Sequence, residues 1–216
     1  MMGENNWFAT ETGQTLVRET IEYVTPWLWP ICGHNALVLL PTLGLSVPQL
    51  QCVPQWYVQR SGSQLVGDFH AEDANLPLAS DCLAMVYAAF IMETSIHSEV
   101  LIAEFERLLV AEGHLALLTL NPYSLPRLTG RWKHLALQSH TQWVDLLQKA
   151  GLEVCRHEVI GAYWPCAKKS QTGKNSYRPN SLRSVNFMLA KKRKAALTPI
   201  RKNASAVALA KESICP

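Results

Sequence analysis

The sequence predicts an α/β protein, a three-layer sandwich built on a mainly parallel sheet. Short apolar runs alternate with helical patterns through most of the 216 residues, which is typical of strand–helix–strand units. The run 82–92 is almost continuously apolar, as expected of a strand covered on both faces in a parallel sheet. A chain of this length is long enough for one such domain with a substantial core.

The strands follow from short apolar segments bounded by turn residues. Seven segments have this character: 36–40, 55–60, 64–69, 82–92, 114–120, 152–160 and 184–190.

The helices follow from apolar residues that recur every three or four positions. The first is predicted within 10–24, and Pro26 is expected to stop it. The second is expected to have Ser98 as its N-cap and to end at Gly113. The third occupies 141–150 and closes the set.

The charges divide the chain into an acidic body and a basic end. Residues 1–167 contain 8 Lys and Arg against 16 Asp and Glu, whereas residues 168–216 contain 12 against one. We therefore expect a helical lead-in over 1–30, a main domain over 31–190 and a largely disordered basic tail over 191–216. The tail either binds the phosphates of a nucleic acid or is a solvated extension.

Composition argues against several classes of protein. The longest apolar runs are shorter than the roughly 20 residues that a membrane span needs, so no membrane association is predicted. Residues 1–15 lack the basic start and apolar run of a signal peptide, and a cytoplasmic protein is expected. Six cysteines and seven histidines show no metal-ligand spacing, so no metal site is predicted.

The segment 67–122 carries several motifs in a fixed order. An acid, Asp73, is followed by Leu76-Pro77, and Asp81 precedes the long apolar strand. Further along come RLL at 107–109, ahead of Gly113 and Leu115, and WVDLLQKAGL at 143–152. In this order and spacing the chain, over roughly residues 30–190, resembles the class I S-adenosylmethionine-dependent methyltransferases, in particular the small bacterial methyltransferase type 11 group.

The resemblance implies a Rossmann-like fold, a seven-stranded sheet with an antiparallel last strand, and S-adenosylmethionine as cofactor. It gives Asp73 the role of accepting a hydrogen bond from the adenine amino group, with the backbone at Ala74 against the ring. A carboxylate suits this role because it accepts hydrogen bonds without donating any. The alternative is that Asp73 is a solvated loop acid beside Glu72.

The stretch LVLLPTLGLS at 37–46 departs from the family's glycine-rich loop of the form acid-x-Gly-x-Gly-x-Gly. Val38 stands where the acid is expected, and Leu40 and Thr42 stand where the first two glycines are expected. Gly44 alone agrees, and side chains at 40 and 42 are expected to fill space that the family leaves to the cofactor.

The ribose-binding acid expected after the second strand is also absent, since no Asp or Glu occurs between residues 23 and 67. Either the chain binds the cofactor through substitutes, for which Thr42, Ser46, Gln59 and backbone groups are available, or it keeps the fold without the activity. Two lost charge-assisted hydrogen bonds, at about 1.5–3 kcal/mol each, would weaken binding by a few orders of magnitude.

Four further residues are candidates for the substrate side. Glu93 and His97 follow the long apolar strand, where members of the family often carry substrate-facing polar groups. His97 could act as a general base, or both residues could cap the next helix. Asn121 and Tyr123 lie in a sequence similar to the Asn-Pro-Pro-Tyr motif of amino-group methyltransferases. They either line a substrate pocket or form a strand-ending turn.

The predicted function is S-adenosylmethionine-dependent methyl transfer to an unknown acceptor. The alternative is a catalytically inactive scaffold of the same fold whose basic tail binds RNA or an acidic partner. The sequence predicts neither the acceptor nor the oligomeric state.

Overall fold

A computed structural model describes residues 7–42, 44–95, 97–128, 132, 135, 137–161 and 182–193 of the chain. Its helices are α1 (Glu11–Leu28), α2 (Ser98–Leu108), α3 (Leu125–Leu128) and α4 (His140–Lys149), with 3-10 turns at Trp7–Ala9 and Met92–Thr94. Its strands are β1 (Cys32–Leu40), β2 (Gln51–Ser61), β3 (Gln64–Gly67), β4 (His70–Ala71), β5 (Leu83–Ala89), β6 (Leu109–Leu120), β7 (Leu152–Ile160) and β8 (Val185–Lys192). No helix in these ranges is long and apolar enough to cross a membrane.

The strands form one sheet in the order β4-β3-β2-β1-β5-β6-β8-β7. The four central strands, β2, β1, β5 and β6, are parallel, β3 pairs antiparallel with β2, and β8 lies antiparallel between β6 and β7. The predicted Rossmann-like, mainly parallel sheet with an antiparallel last strand is confirmed. The sheet has eight strands where seven were expected, because the two-residue β4 adds an edge.

Helices cover both faces of the sheet and create two buried layers. Along β1, Val38 and Leu40 face the cluster that contains the apolar side of α1, whereas Leu37 and Leu39 face the cluster beneath α2 and α4. This alternation follows from the two-residue period of a strand. Each large apolar side chain buried in this way contributes about 1.5–3 kcal/mol to folding.

Helix α1 continues through Pro26, where the sequence had predicted its end. Val24 and Leu28, one turn apart, are both fully buried against the sheet. Proline removes the hydrogen bond to the carbonyl of Glu22, but Glu22 and Pro26 are exposed, so water can replace it. Packing of Leu28 therefore outweighs the loss of one helical hydrogen bond.

Helix α2 ends at Leu108 and not at Gly113, which had been expected to stop it. The chain adopts extended geometry at Leu109, and β6 then bulges against β5 ahead of His114. A Cβ atom at Gly113 would lie 2.9 Å from the carbonyl oxygen of Val110. Glycine at this position allows a close backbone approach within the bulge.

Strand β8 runs to Lys192, two residues into the predicted tail. The Lys192 ammonium is buried and donates to the carbonyl oxygens of Leu109 and Glu106, at 2.8 and 2.5 Å, and to Asp81 Oδ1 at 2.8 Å. These contacts make the end of β8 part of the folded domain. The rest of the predicted tail, 194–216, lies outside the described residues.

Candidate functional site

The carboxyl ends of the four parallel strands lie side by side at one rim of the sheet, here called the carboxyl rim. Leu40, at the end of β1, pairs with Gln59 of β2, and Ala89, at the end of β5, pairs with Leu118 of β6. Open sheets of this kind bind their ligands outside the carboxyl ends of the strands. The predicted cofactor and substrate residues lie at or after these ends, except Asp73 and Ala74, which follow β4, so the rim is the candidate site.

Asp73 lies at the carboxyl rim and joins two of its loops. Its Oδ1 accepts a hydrogen bond from Arg60 Nη1 and its Oδ2 accepts one from Ser95 Oγ, each at 2.6 Å. The side chain is 15% exposed, and the neighbouring Ala74 is exposed. A carboxylate has about four acceptor positions, so Asp73 retains acceptor capacity for a ligand. Asp73 is therefore a fixed group in this fold and not a freely solvated loop acid.

The loop after β1 holds the predicted replacements for the glycine-rich motif. Leu40 is buried among core side chains beneath α1, and Thr42 is half-buried. Gly44 has φ +81°, a conformation that favours glycine, and no atom lies within 4 Å of where its Cβ would be. The described residues of this link, 41–42 and 44–50, contain no helix. Space therefore exists beside the loop at Gly44, but the glycine-lined helix start is absent from those residues.

The other two proposed substitutes flank this loop. Ser46 is exposed, and Gln59 is half-buried at the end of β2. Ser46 follows the end of β1, and Gln59 lies near the end of β2, so each could offer a polar group to a ligand at the rim.

Arg60 lies near the end of β2, close to where the resemblance predicts a ribose-binding acid. Its Nη1 donates to Asp73 and to the carbonyl oxygen of Ser63, whereas Nε and Nη2 have no partner among the described residues. The side chain is only 5% exposed. The sequence did contain a signal for this residue, since Arg60 is the only Lys or Arg between residues 19 and 106.

Glu93 is buried at the carboxyl rim, in the turn after β5. Its Oε1 accepts a hydrogen bond from the backbone N–H of Leu120, and its Oε2 has no partner among the described residues. Burial raises the pKa of this carboxyl group to about 7, although the hydrogen bond from Leu120 lowers it in part. Glu93 thus joins the ends of β5 and β6, and the expectation that it caps the next helix is wrong.

His97 precedes α2 directly and is exposed. It takes the N-cap position that had been assigned to Ser98, and its side chain makes no capping hydrogen bond. The backbone carbonyl of His97 instead accepts the N–H groups of Val100 and Leu101. The imidazole is therefore available to solvent at the rim.

Asn121 and Tyr123 form the turn that follows β6. Asn121 Oδ1 accepts from the N–H of Tyr123 at 3.0 Å, and Asn121 Nδ2 donates to the carbonyl oxygen of Arg183 at 2.8 Å. The amide thus ties this turn to the residues that lead into β8. Tyr123 is 60% exposed beside it, so its ring is the more accessible of the two groups.

A cluster of aromatic rings packs on the α1 side of the sheet, and the sequence did not predict it. Phe90, directly after β5, packs against Phe8 with ring centroids 5.0 Å apart, and Trp7 contacts Trp132 edge to face at 5.4 Å. Phe8, Phe90 and Trp132 are buried. These rings connect the N-terminal turn to the carboxyl rim, and only the fold brings their distant positions together.

One cavity lies at the rim opposite the carboxyl rim, and another lies beside the segment that carries Asp73. One of about 590 Å³ lies at the opposite, amino-terminal rim, with Cys32, His34, Cys82 and His114 among its lining residues. A second, of about 290 Å³, is lined by residues of β3 and β4 and the segment after them. Within the described positions, no group of three or more His, Cys, Asp and Glu side chains is arranged to hold a metal ion.

Comparison with known proteins identifies the fold. No protein-family model and no curated protein sequence matches the chain. Among solved structures, the complex of the Haloferax volcanii Trm112 methyltransferase activator with a methyltransferase matches over 87% of this chain and 95% of the other, at 14% identity and a TM-score of 0.60. A SAM-dependent methyltransferase from Aquifex aeolicus matches over 83% and 93%, at 12% identity and a TM-score of 0.59. The fold is that of SAM-dependent methyltransferases.

The same fold also carries other chemistry. The [4+2]-cyclase SpnF matches over 81% of both chains, at 13% identity and a TM-score of 0.55. Fold alone therefore does not fix the reaction, which has to be argued from the residues at the site.

Proposed function

We propose that the protein binds S-adenosylmethionine at the carboxyl rim and transfers its methyl group to an acceptor that remains to be identified. The observation that carries this proposal is the position of Asp73, held between the end of β2 and the loop after β5 by Arg60 and Ser95. In a methyltransferase fold this is a suitable place for an acceptor of the adenine amino group. The likeness to methyltransferases supports the proposal at the level of fold.

The residues present fit the cofactor in part. At the adenine end, Asp73 retains acceptor capacity and Ala74 is exposed beside it. At the methionine end, we assign the loop through Leu40, Thr42 and Gly44, where open space at Gly44 supports contact with backbone. At the ribose end, Arg60 lies near the position where an acid was expected. The ribose hydroxyl groups would therefore meet hydrogen-bond donors there.

The methyl group itself is supplied by the sulfonium of the cofactor. The residues of the chain have to orient the acceptor and exclude water, which methyl transfer needs more than a strong base. We propose Glu93 as the group that takes a proton from the acceptor, because its Oε2 is unpartnered and its pKa lies near neutrality. His97 is a second, more exposed candidate, and we place the acceptor beside Asn121 and Tyr123.

A specific observation also favours the non-catalytic scaffold. In its described part, the link between β1 and β2 contains no helix and one glycine. This alternative, with RNA or an acidic partner bound through the basic tail, remains the second candidate. The cytoplasmic location also remains a prediction.

Titration calorimetry with S-adenosylhomocysteine separates the two functions. We expect a dissociation constant in the micromolar range for the wild-type chain. Asp73→Ala should weaken binding by about 10-fold or more, the equivalent of one charge-assisted hydrogen bond. Asp145→Ala, at an exposed position of α4, is the matched control and should bind as the wild type does.

Because Asp73 bridges two loops, circular dichroism should establish that the variant is folded, and Asp73→Asn supplies a second variant of the same shape. No heat of binding at millimolar ligand, from a folded wild-type chain, would favour the scaffold. Binding that is indifferent to both Asp73 variants would remove the adenine role from this residue.

A further inference from the structure

Only one of the three guanidinium nitrogens of Arg60 has a hydrogen-bond partner among the described residues. Nη1 bonds Asp73 Oδ1 at 2.6 Å and the carbonyl oxygen of Ser63 at 3.4 Å. Nε and Nη2 are buried and have no hydrogen-bond partner among the described residues. These two nitrogens form one edge of the planar group, from which two N–H bonds point in the same direction.

Leaving that edge unpaired is costly. An unsatisfied buried donor costs about 1–3 kcal/mol, and more when the group is charged. Buried polar groups in folded proteins nearly always have hydrogen-bond partners. Two unpartnered nitrogens on one buried arginine therefore need an explanation. Asp73 balances the charge of Arg60 but leaves this edge without an acceptor.

The free edge has a definite chemical preference. Two parallel N–H bonds match two oxygens of a carboxylate or a phosphate, in the bidentate geometry that makes arginine the usual partner of such groups. The two neighbouring hydroxyl oxygens of a ribose can also accept these bonds, but as neutral acceptors they bind a guanidinium more weakly than an oxyanion does. The site therefore selects an oxyanion over a neutral group.

The position of Arg60 places this preference inside the candidate site. Arg60 follows Gln59, which pairs with Leu40 at the end of β1, and it pairs across the sheet with Leu65. Asp73 lies against it, with Asp73 Oδ1 2.6 Å from Arg60 Nη1, so a ligand that reaches Asp73 also comes close to Arg60. In dinucleotide-binding folds an arginine near this point accommodates a phosphate on the ribose.

We propose that Arg60 binds an oxyanion, a phosphate or a carboxylate, on the adenosine-containing ligand of the carboxyl rim. The inference rests on the rim as the ligand site of the proposed function, and it adds what that ligand must carry. Asp73 and the carbonyl oxygen of Ser63 hold the guanidinium in place, and its free edge discriminates between charged and neutral ligands. The exposed residues around Asp73, including Glu72 and Asn75, mark the segment that a ligand would displace to reach the edge.

Calorimetry with two matched pairs of ligands tests the proposal on the full chain. Adenosine 2′-phosphate is compared with adenosine, and S-adenosylhomocysteine is compared with its decarboxylated analogue, which keeps the amino group and lacks only the carboxylate. In at least one pair we expect the oxyanion to improve the affinity of the wild-type chain by about 10-fold or more. A gain in the first pair identifies phosphate as the group bound, and a gain in the second identifies carboxylate.

Three variants then assign the gain to Arg60. Arg60→Gln should reduce it to less than about twofold, and Arg60→Lys should lose most of it, because an ammonium group cannot bind two oxygens in the same way. Arg18→Gln, at an exposed position of α1, should leave it unchanged. Should Arg60→Gln fail to fold, Arg60→Lys decides the question, since a lysine can still pair with Asp73.

The outcomes separate this inference from the proposed function. Binding of adenosine 2′-phosphate that depends on Arg60, without binding of S-adenosylhomocysteine, supports the oxyanion site and rejects the methyltransferase. Equal affinities within both pairs, a preference that survives in Arg60→Lys, or no binding of any of the four ligands overturns the oxyanion site. Tight binding of S-adenosylhomocysteine and its decarboxylated analogue alike supports the methyltransferase without the oxyanion site.

Discussion

The carboxyl group of Glu93 should make the stability of the protein depend on pH in an unusual direction. Burial raises its pKa from 4.5 to about 7. Between these values the folded protein holds a proton that the unfolded chain has released, so the free energy of unfolding falls as the pH rises. The full contribution is present below about pH 4.5 and is lost by about pH 7. At 1.36 kcal/mol per pKa unit, the loss across this window is about 3 kcal/mol.

Urea unfolding of the wild type and of Glu93→Gln at several pH values from 4.5 to 8 measures this effect. The amide cannot ionise, so the free energy of the variant should lack the fall that Glu93 causes. Relative to the variant, the wild type should lose about 3 kcal/mol across the range. Subtracting the two curves removes the titration of groups common to both, such as His114, whose pKa burial lowers.

Glu99→Gln, at an exposed position in the first turn of α2, is the control and should follow the wild-type curve. Curves for the wild type and Glu93→Gln that stay parallel from pH 4.5 to 8 would refute the reasoning. They would mean that the carboxyl group of Glu93 reaches water in the folded protein.

Three further substitutions test the packing of the fold. Lys192→Met should lower the free energy of unfolding in urea by about 3 kcal/mol, because it leaves buried carbonyl oxygens unpaired. Lys191→Met removes a partly exposed ion pair and should cost under about 1 kcal/mol. Equal losses in the two variants would contradict the buried role of Lys192. Gly67→Ala should lower the melting temperature, because the new Cβ would lie 2.1 Å from the carbonyl oxygen of Tyr57. We expect a loss of about 2 kcal/mol in the free energy of unfolding. An unchanged melting temperature would argue against that close approach. Ser139→Ala removes the capping box of α4 and should lower the free energy of unfolding by about 1 kcal/mol, measured by thermal unfolding. An unchanged stability would mean that the cap does not form.

Much of the fold could be predicted because local signals and tertiary packing agree. Strand β7 was predicted with its observed bounds, since its segment begins just after Gly151 and ends just before Gly161, both of which adopt positive φ. Where the two levels disagree, packing prevails. Pro26 remains within a helix because Leu28 is buried, and Gly113 serves a bulge that becomes visible only when β5 and β6 are paired.

The candidate site was harder to predict than the fold. The order of motifs placed Asp73 correctly in the loop ahead of β5, but its two hydrogen-bond partners come from β2 and from the turn after β5. The resemblance predicts an acid as the ribose-binding group, so it gives no role to Arg60, although this arginine is isolated in the sequence. Orphaned donors and acceptors such as Arg60 Nε and Glu93 Oε2 can be recognised only when all neighbouring groups are placed.

The antiparallel course of β8 determines where the chain leaves the sheet. Val185 pairs with Leu120 at the carboxyl rim, and seven residues later Lys192 is anchored beside Asp81, about 24 Å away along the strand. The described part of the chain therefore leaves the sheet, at Arg193, at the rim opposite the one that carries Asp73.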